Sequence, residues 1–505
     1  MRAVAAASGL RRLRDVLGEV ADLERAGAVL GWDQETNMPP GGVEDRANQL
    51  ATLGRLAHER FTSSEVAELL DQAAGEVTGL PAESDDASLV RVTRRDFEQA
   101  VKVPAELVAE MARASTTARP VWLEAKARSE WSLFAPAMQV TVDLSRRLAE
   151  ALGYEERPYD ALIALTEPGL TTARVEGLFG EIKAAIVPLV HAIDAHRDRV
   201  DDSVLSRPVG ERQQLEFARE IIAHLGYDFE RGRQDLSAHP FSTSFGPGDV
   251  RVTTRTGPTL GDSCLLSSVH EAGHAMYEQG VPRSLDRTPL WGGASPGVHE
   301  SQSRLWENMV GRSRPFCEWL LPRLREAFPH SLDDVDADAY WRASNAVRPS
   351  YVRVDADEVT YNLHIMLRFE IENDLLDRRL AVAEVPEAWA AKVREYLGLG
   401  PPRDREGPLQ DIHWTGGLGG FVGYSLGNLI SAQLIAAART DLPELDARFE
   451  AGDFSPLLAW LREHVHQHGR KFTPDKLVER AAGSPIAAEP WIAYVQEKFG
   501  GLYGL

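Results

Sequence analysis

Apolar residues recur at spacings of three and four along most of this 505-residue chain, and that periodicity limits its fold more than any other feature. The run LRRLRDVLGEVADLERAGAVLGW (10–32) is a long amphipathic helix by this criterion. The same pattern returns near 43–60, 86–117, 134–153, 172–195, 212–225, 357–398 and between 425 and 467. Strand-like alternation is rare. Its best example is DVRVTTR, Asp249 to Arg255, with RQDLSAHPF just upstream as a candidate partner. Turn-rich or charged loops are expected at 196–211, 245–249, 292–297 and 401–408. There is no internal repeat and no stretch resembling a flexible interdomain linker. The expectation is one mainly α-helical unit over 1–505. Its N-terminal helical part reaches about residue 230, its catalytic part covers about 231–505, and a small β-sheet is inserted near 231–256.

Charge and cysteine content narrow the function. The formal net charge is −21, which argues against binding nucleic acid or an anionic membrane surface, since both need a basic face. Cys264 and Cys317 are the only cysteines, too few for a disulfide framework or a cysteine-rich zinc site. The opening MRAVAAASGLRRLRD lacks an apolar central region, so no signal peptide is expected. The uncharged run between Asp411 and Arg439 holds Asn428, Gln433 and six glycines from Gly416 to Gly427, a poor composition for a membrane span. The expected location is the cytoplasm.

One short stretch carries chemistry. SVHEAGHAMY, Ser268 to Tyr277, contains two histidines four apart with a glutamate after the first. Ser263 to Gln279 reads as helix, with Asp262 or Ser263 as its cap and Gly280 and Pro282 as its stop. Residues four apart on a helix differ by about 40° and lie about 6 Å apart along the axis, so His270 and His274 project together. Both can reach one metal ion. Glu271 is rotated by about 100° from His270, which suits a general base acting on a metal-held water. HExxH also arises by chance, and its placement on an amphipathic helix is what raises its weight.

A catalytic zinc takes three protein ligands and leaves one position open. No third histidine follows at metzincin spacing. Glu278 lies on the same helix, where a third ligand would strain tetrahedral geometry. The following segment GVHESQSRLWENMVG offers Glu300 and Glu307, seven apart and on one helical face. Spacing alone does not choose between them. The one that does not bind the metal can accept a hydrogen bond from a ligand histidine.

The chain resembles the carboxypeptidase Taq family of metallocarboxypeptidases. The motifs carrying the resemblance appear in order: WDQETNMPPGG (32–42), HPF (239–241), DVRVT (249–253), HEAGH (270–274), HESQ (299–302), VRVDAD (352–357) and GPLQDIHW (407–414). The resemblance implies that Glu300 is the third ligand. It also implies a helical, saddle-like fold with a deep groove, a homodimer, and removal of single residues from peptide C termini with broad side-chain tolerance. Two departures stand out. Val352 replaces the usual Ile, and GFVGYSLG (420–427) stands where the family has a pattern like GYFPTYxLG, with Tyr424 retained.

An exopeptidase of this kind must recognise a free carboxylate, and the planar guanidinium fork suits that task. Arg353 is the first candidate and Arg251 the second. The strand bearing Asp249, Arg251 and Thr253, read as an edge, offers strand addition to an extended peptide. His413 and Tyr424 are candidate donors to the developing oxyanion. Asp411, Gln410 and His239 are candidates for orienting such groups. The expected mechanism places Zn²⁺ on His270, His274 and Glu300, with Co²⁺ or Mn²⁺ as alternatives because N/O ligands do not select strictly. Glu271 then deprotonates the attacking water and protonates the leaving amine. The competing readings are a helical zinc endo-oligopeptidase and an inactive peptide-binding scaffold.

Overall fold

A computed structural model of the protein describes residues 8–262 and 264–505. Ser263, one of the two expected caps of the HExxH helix, lies outside the described residues, as does the start of the N-terminal segment read for a signal peptide. The Asp262 carboxylate accepts from the Thr259 hydroxyl at 2.7 Å through one oxygen.

The chain is mainly α-helical, and its helices follow the periodicity. The first spans Gly9–Thr36, opened by the Ser8 side chain accepting from the Arg11 N–H. Two long patterns are broken in the folded chain. The 86–117 pattern becomes Asp85–Lys102 and Ala105–Arg128, because Pro104 has no N–H to continue a helix and holds Val103 extended. The 357–398 pattern becomes Tyr361–Leu376 and Val385–Leu397, separated by a turn in which Arg378 takes a positive φ. Apolar side chains from Leu13 to Tyr503 join in one continuous core cluster. Trp306, Trp389, Trp414 and Trp491 are among its largest fully buried members.

The small sheet has three strands: β1 (Gln234–Leu236), β2 (Ser242–Gly246) and β3 (Asp249–Thr254). Their order is β1-β3-β2, with β1 parallel and β2 antiparallel to β3. This corrects one expectation. The DVRVT strand is the middle strand, so both of its edges are hydrogen-bonded and it has none to offer a peptide. The reason is β2, whose Ser/Thr/Gly-rich sequence carries little strand signal.

The WDQETNMPPGG segment gains a structural role. Trp32 is buried, and the guanidinium of Arg251 lies over its ring at 4.3 Å from the centroid. Asp33 and Arg46 form an ion pair at 2.6 Å that joins this first helix to the second, Val43–Phe61. The first two helices are thereby pinned to the sheet.

Three helices position the site. The HExxH helix, Cys264–Gly280, packs against Pro296–Arg304, which packs in turn against Val422–Asp441. The first pair meet closely at Gly273, where a Cβ would lie 2.7 Å from the Gln302 carbonyl oxygen.

Candidate metal centre

His270 and His274 face one side of their helix, as a spacing of four requires. Glu300, on the next helix, meets them. Its Oε2 lies 3.8 Å from His270 Nε2 and 3.5 Å from His274 Nε2. One ligand atom from each of the three residues falls within 4.8 Å of the others. Ligands about 2.0–2.1 Å from a tetrahedral ion are about 3.3 Å apart, so the arrangement fits a divalent metal with little adjustment. The donor set of two imidazoles and one carboxylate suits the same ions.

The remaining atoms of the three residues are held. Glu300 Oε1 accepts from Arg304 Nε at 2.8 Å, which leaves Oε2 to face the histidines. His270 Nδ1 is 2.8 Å from Glu307 Oε2. Arg304 also donates to Glu307 at 3.2 Å, so one guanidinium steadies both acids. Of the two glutamates that spacing left open, Glu300 lies against both histidines, while Glu307 lies against His270. Leu305–Val310 is a π-helical turn, and Glu307 within it meets the outer nitrogen of His270. Glu278, weighed as a ligand, points elsewhere, to His299 Nε2 at 2.7 Å. His299 Nδ1 is in turn 2.7 Å from His274 Nδ1.

Charge is concentrated and buried. Burial lowers the basicity of His274 to a pKa of about 4, reinforced by His299 and His270. Burial acts the same way on His270, but the carboxylates of Glu300 and Glu307 more than offset it. Burial would raise Glu300, yet Arg304 and the two histidines hold it well below the usual carboxylate range. Glu271 is buried beside them. Desolvation pushes its carboxyl up to about 7, with Glu300 and Glu307 adding and His270 opposing.

A second cluster lies next to the first. The ring of Tyr361 has Arg304 over it at 4.3 Å on one side, and its hydroxyl accepts from Arg353 Nη1 at 3.0 Å. Arg353 also donates through Nε and Nη2 to Asp411 Oδ1, at 3.1 and 3.0 Å. Arg368, fully buried, donates to the other Asp411 oxygen at 2.7 Å. Three of the five N–H groups of Arg353 are engaged in this way. The Gln410 side chain accepts from the Arg353 backbone N–H at 2.8 Å. His413 Nε2 and the Tyr424 hydroxyl are 3.4 Å apart, and the guanidinium of Arg353 is 5.2 Å from the Tyr424 ring centroid. Burial lowers His413 to about 4, so its ring is neutral at pH 7. Exposed His239 lies near enough to oppose protonation of His413.

The remaining expected residues are tied into the sheet. Arg251 forms a two-point ion pair with Asp249 at 2.8 and 2.7 Å and lies over Trp32 and Phe245. The Thr253 hydroxyl bonds Ser237 and the Phe241 backbone. These three side chains build the sheet and do not join the metal cluster. Sequence reasoning missed Arg304, Tyr361 and Arg368. Only Arg304 had a usable signal, as a base four residues after Glu300 on one helix.

Cys264 and Cys317 are both buried and free. Among the described residues, no helix is long and apolar enough to cross a membrane.

Known proteins share this sequence pattern and fold. The sequence pattern of the carboxypeptidase Taq (M32) metallopeptidase family matches residues 12–499. Thermostable carboxypeptidase 1 of Thermus thermophilus is 43% identical over 497 residues, covering 96% of this chain and 97% of that protein. Carboxypeptidase 1 of Bacillus subtilis is 38% identical over 490 residues, covering 97% of each. The crystal structure of an M32 carboxypeptidase from Deinococcus radiodurans R1 superimposes with a TM-score of 0.95 at 43% identity, covering 98% of this chain and 100% of that one. An ordered set of motifs, a shared fold and a match over nearly the full length lead to one conclusion: the chain belongs to the carboxypeptidase Taq (M32) metallopeptidase family, whose members are metal-dependent peptide hydrolases.

Proposed function

We propose that the protein removes single amino acids from the free C termini of peptides with broad tolerance of side chain, using a divalent ion held by His270, His274 and Glu300. Zn²⁺ is the first choice, and Co²⁺ or Mn²⁺ fit the same donors. The observation that carries this reading is the convergence of two imidazole nitrogens on one oxygen of Glu300, at 3.8 and 3.5 Å. When bound, the ion acidifies a water molecule and polarises the scissile carbonyl.

The chain's own groups do the rest. Glu271 receives the proton of the attacking water and delivers it to the departing amine nitrogen. His413 and Tyr424 donate to the carbonyl oxygen as negative charge grows there. Arg353, with two N–H groups free of partners among the described residues, takes the terminal carboxylate. Asp411 fixes the plane of that guanidinium, and exposed His239 stands near His413. Asp249, Arg251 and Thr253 serve the substrate indirectly, by holding the sheet in place. The continuous core supports one catalytic unit across 1–505. A homodimer and a cytoplasmic location belong to the same proposal and rest on family resemblance and composition.

The test uses one peptide in two forms, with a free and with an amidated C terminus. Stepwise loss of residues from the free form alone is expected, read by mass spectrometry and abolished by chelator. Rapid internal cleavage of the amidated form would replace this reading with an endo-oligopeptidase. Glu271→Gln should keep its metal and lose about 10²–10⁴ in kcat. Undiminished turnover in that variant would remove Glu271 from the mechanism.

A further inference from the structure

His274 does not finish its hydrogen bonding on a carboxylate, as His270 does on Glu307. Its Nδ1 lies 2.7 Å from Nδ1 of a second imidazole, His299. His299 Nε2 then lies 2.7 Å from Glu278 Oε1. Two facing ring nitrogens at that distance share one proton, since two N–H groups or two lone pairs would repel.

We propose that Glu278 and His299 form a positioning relay that sets the tautomer and the ring orientation of His274. The inference rests on the metal site proposed above. A metal-facing Nε2 on His274 needs its lone pair there, which puts the proton on Nδ1. His299 must then accept at Nδ1 and carry its own proton on Nε2. Glu278, an acceptor when ionised, holds that proton in place. Without Glu278, His299 is free to protonate at Nδ1. His274 is then driven to carry its proton on Nε2, where it blocks the metal.

Packing agrees with this assignment. A Cβ at Gly293 would lie 2.6 Å from His299 Cδ2, so the loop crosses the ring closely and leaves it one place to stand. Tyr277 closes another side, with ring centroids 5.2 Å apart. Glu278 itself is a poor structural choice. It is buried, and its Oε2 has no hydrogen-bond partner among the described residues. A buried carboxylate with one oxygen unsatisfied costs stability rather than adding to it. Its contribution is therefore to be sought in the ligand it orients.

The test measures metal affinity directly on the full-length, metal-free protein, by titrating Zn²⁺ against a chromogenic chelator. Glu278→Leu and His299→Phe should each bind Zn²⁺ about 10–100-fold more weakly, the usual effect of losing a ligand's outer partner. A cooperative melting transition of the metal-free protein should persist in each variant, which shows that it is folded. The double variant should lose no more than the worse single one, because the two act in series. Glu278→Gln, whose carbonyl can still accept from His299, should fall between and provides a fold-conserving check. Unchanged affinity in variants that are folded without metal would overturn the relay, and so would losses that multiply in the double variant. If the unaltered protein shows no tight site that His274→Ala removes, the metal reading fails and the relay with it.

Discussion

Glu167 lies in a distant part of the sequence, yet its Oε1 accepts the Gly297 N–H at 2.6 Å, at the start of the helix that carries Glu300. It is fully buried, and desolvation raises its carboxyl to about 7 against the bonds from Ser295 and Gly297. The folded chain therefore holds this proton more tightly than the unfolded chain does. The associated stability is complete below about pH 4.5 and is lost as pH rises through about 7. Glu167→Gln removes the ionisation. Relative to the parent, that variant should gain on the order of 2–3 kcal/mol between pH 5 and pH 8, read from urea midpoints. A difference that stays constant across this range would show that Glu167 does not titrate there. Little at this scale was legible beforehand. HExxH announces its own residues, but nothing in the sequence near 167 says that its carboxyl will be stripped of water.

Helix against helix, the site depends on close approach. A Cβ at Gly427, on the Val422–Asp441 helix, would lie 2.5 Å from Glu300 Cγ and 2.6 Å from its Cβ. Gly427→Ala should therefore push Glu300 off the histidines. We expect a stability loss of about 1–3 kcal/mol, typical of overpacking, together with a sharp fall in bound metal measured by elemental analysis. Retention of full metal content would mean that the helices can part at this contact. The two segments are over a hundred residues apart, and the glycine-rich GFVGYSLG departs from the family pattern while keeping this glycine. The pairing of His270 with His274 followed from helical geometry alone. The separate placements of Glu300 and Glu307 did not, because spacing put both on one face and a π-turn falls between them.

Across the whole molecule, charged and aromatic contacts add to apolar packing in tying the first helix to the catalytic part. Trp32 beneath Arg251 is one, and Arg25 with Asp286, 2.7 Å apart, is another. Trp32→Ala should cost about 3 kcal/mol, near the lower end for loss of a buried aromatic. Amide exchange should quicken over residues 9–61 before it does elsewhere, the signature of local opening. Equal acceleration throughout the chain would mean that these helices unfold with the rest.

The helical class, the HExxH pair and the placement of Glu271 beside it were determined by local sequence, since a spacing of three and four or of four residues fixes relative direction on a helix without reference to anything else. The ordered motifs pointed to the family for the same reason of local order. Tertiary structure alone decided that β3 is central, that Arg304 serves two acids at once, and that Arg353 is shared between Asp411 and Tyr361. Each of these depends on groups brought together from segments far apart in the chain or on a turn whose geometry comes from packing. Such encounters are set by how surfaces fit and by which buried charges must be neutralised, and neither is written in the spacing of residues along one element.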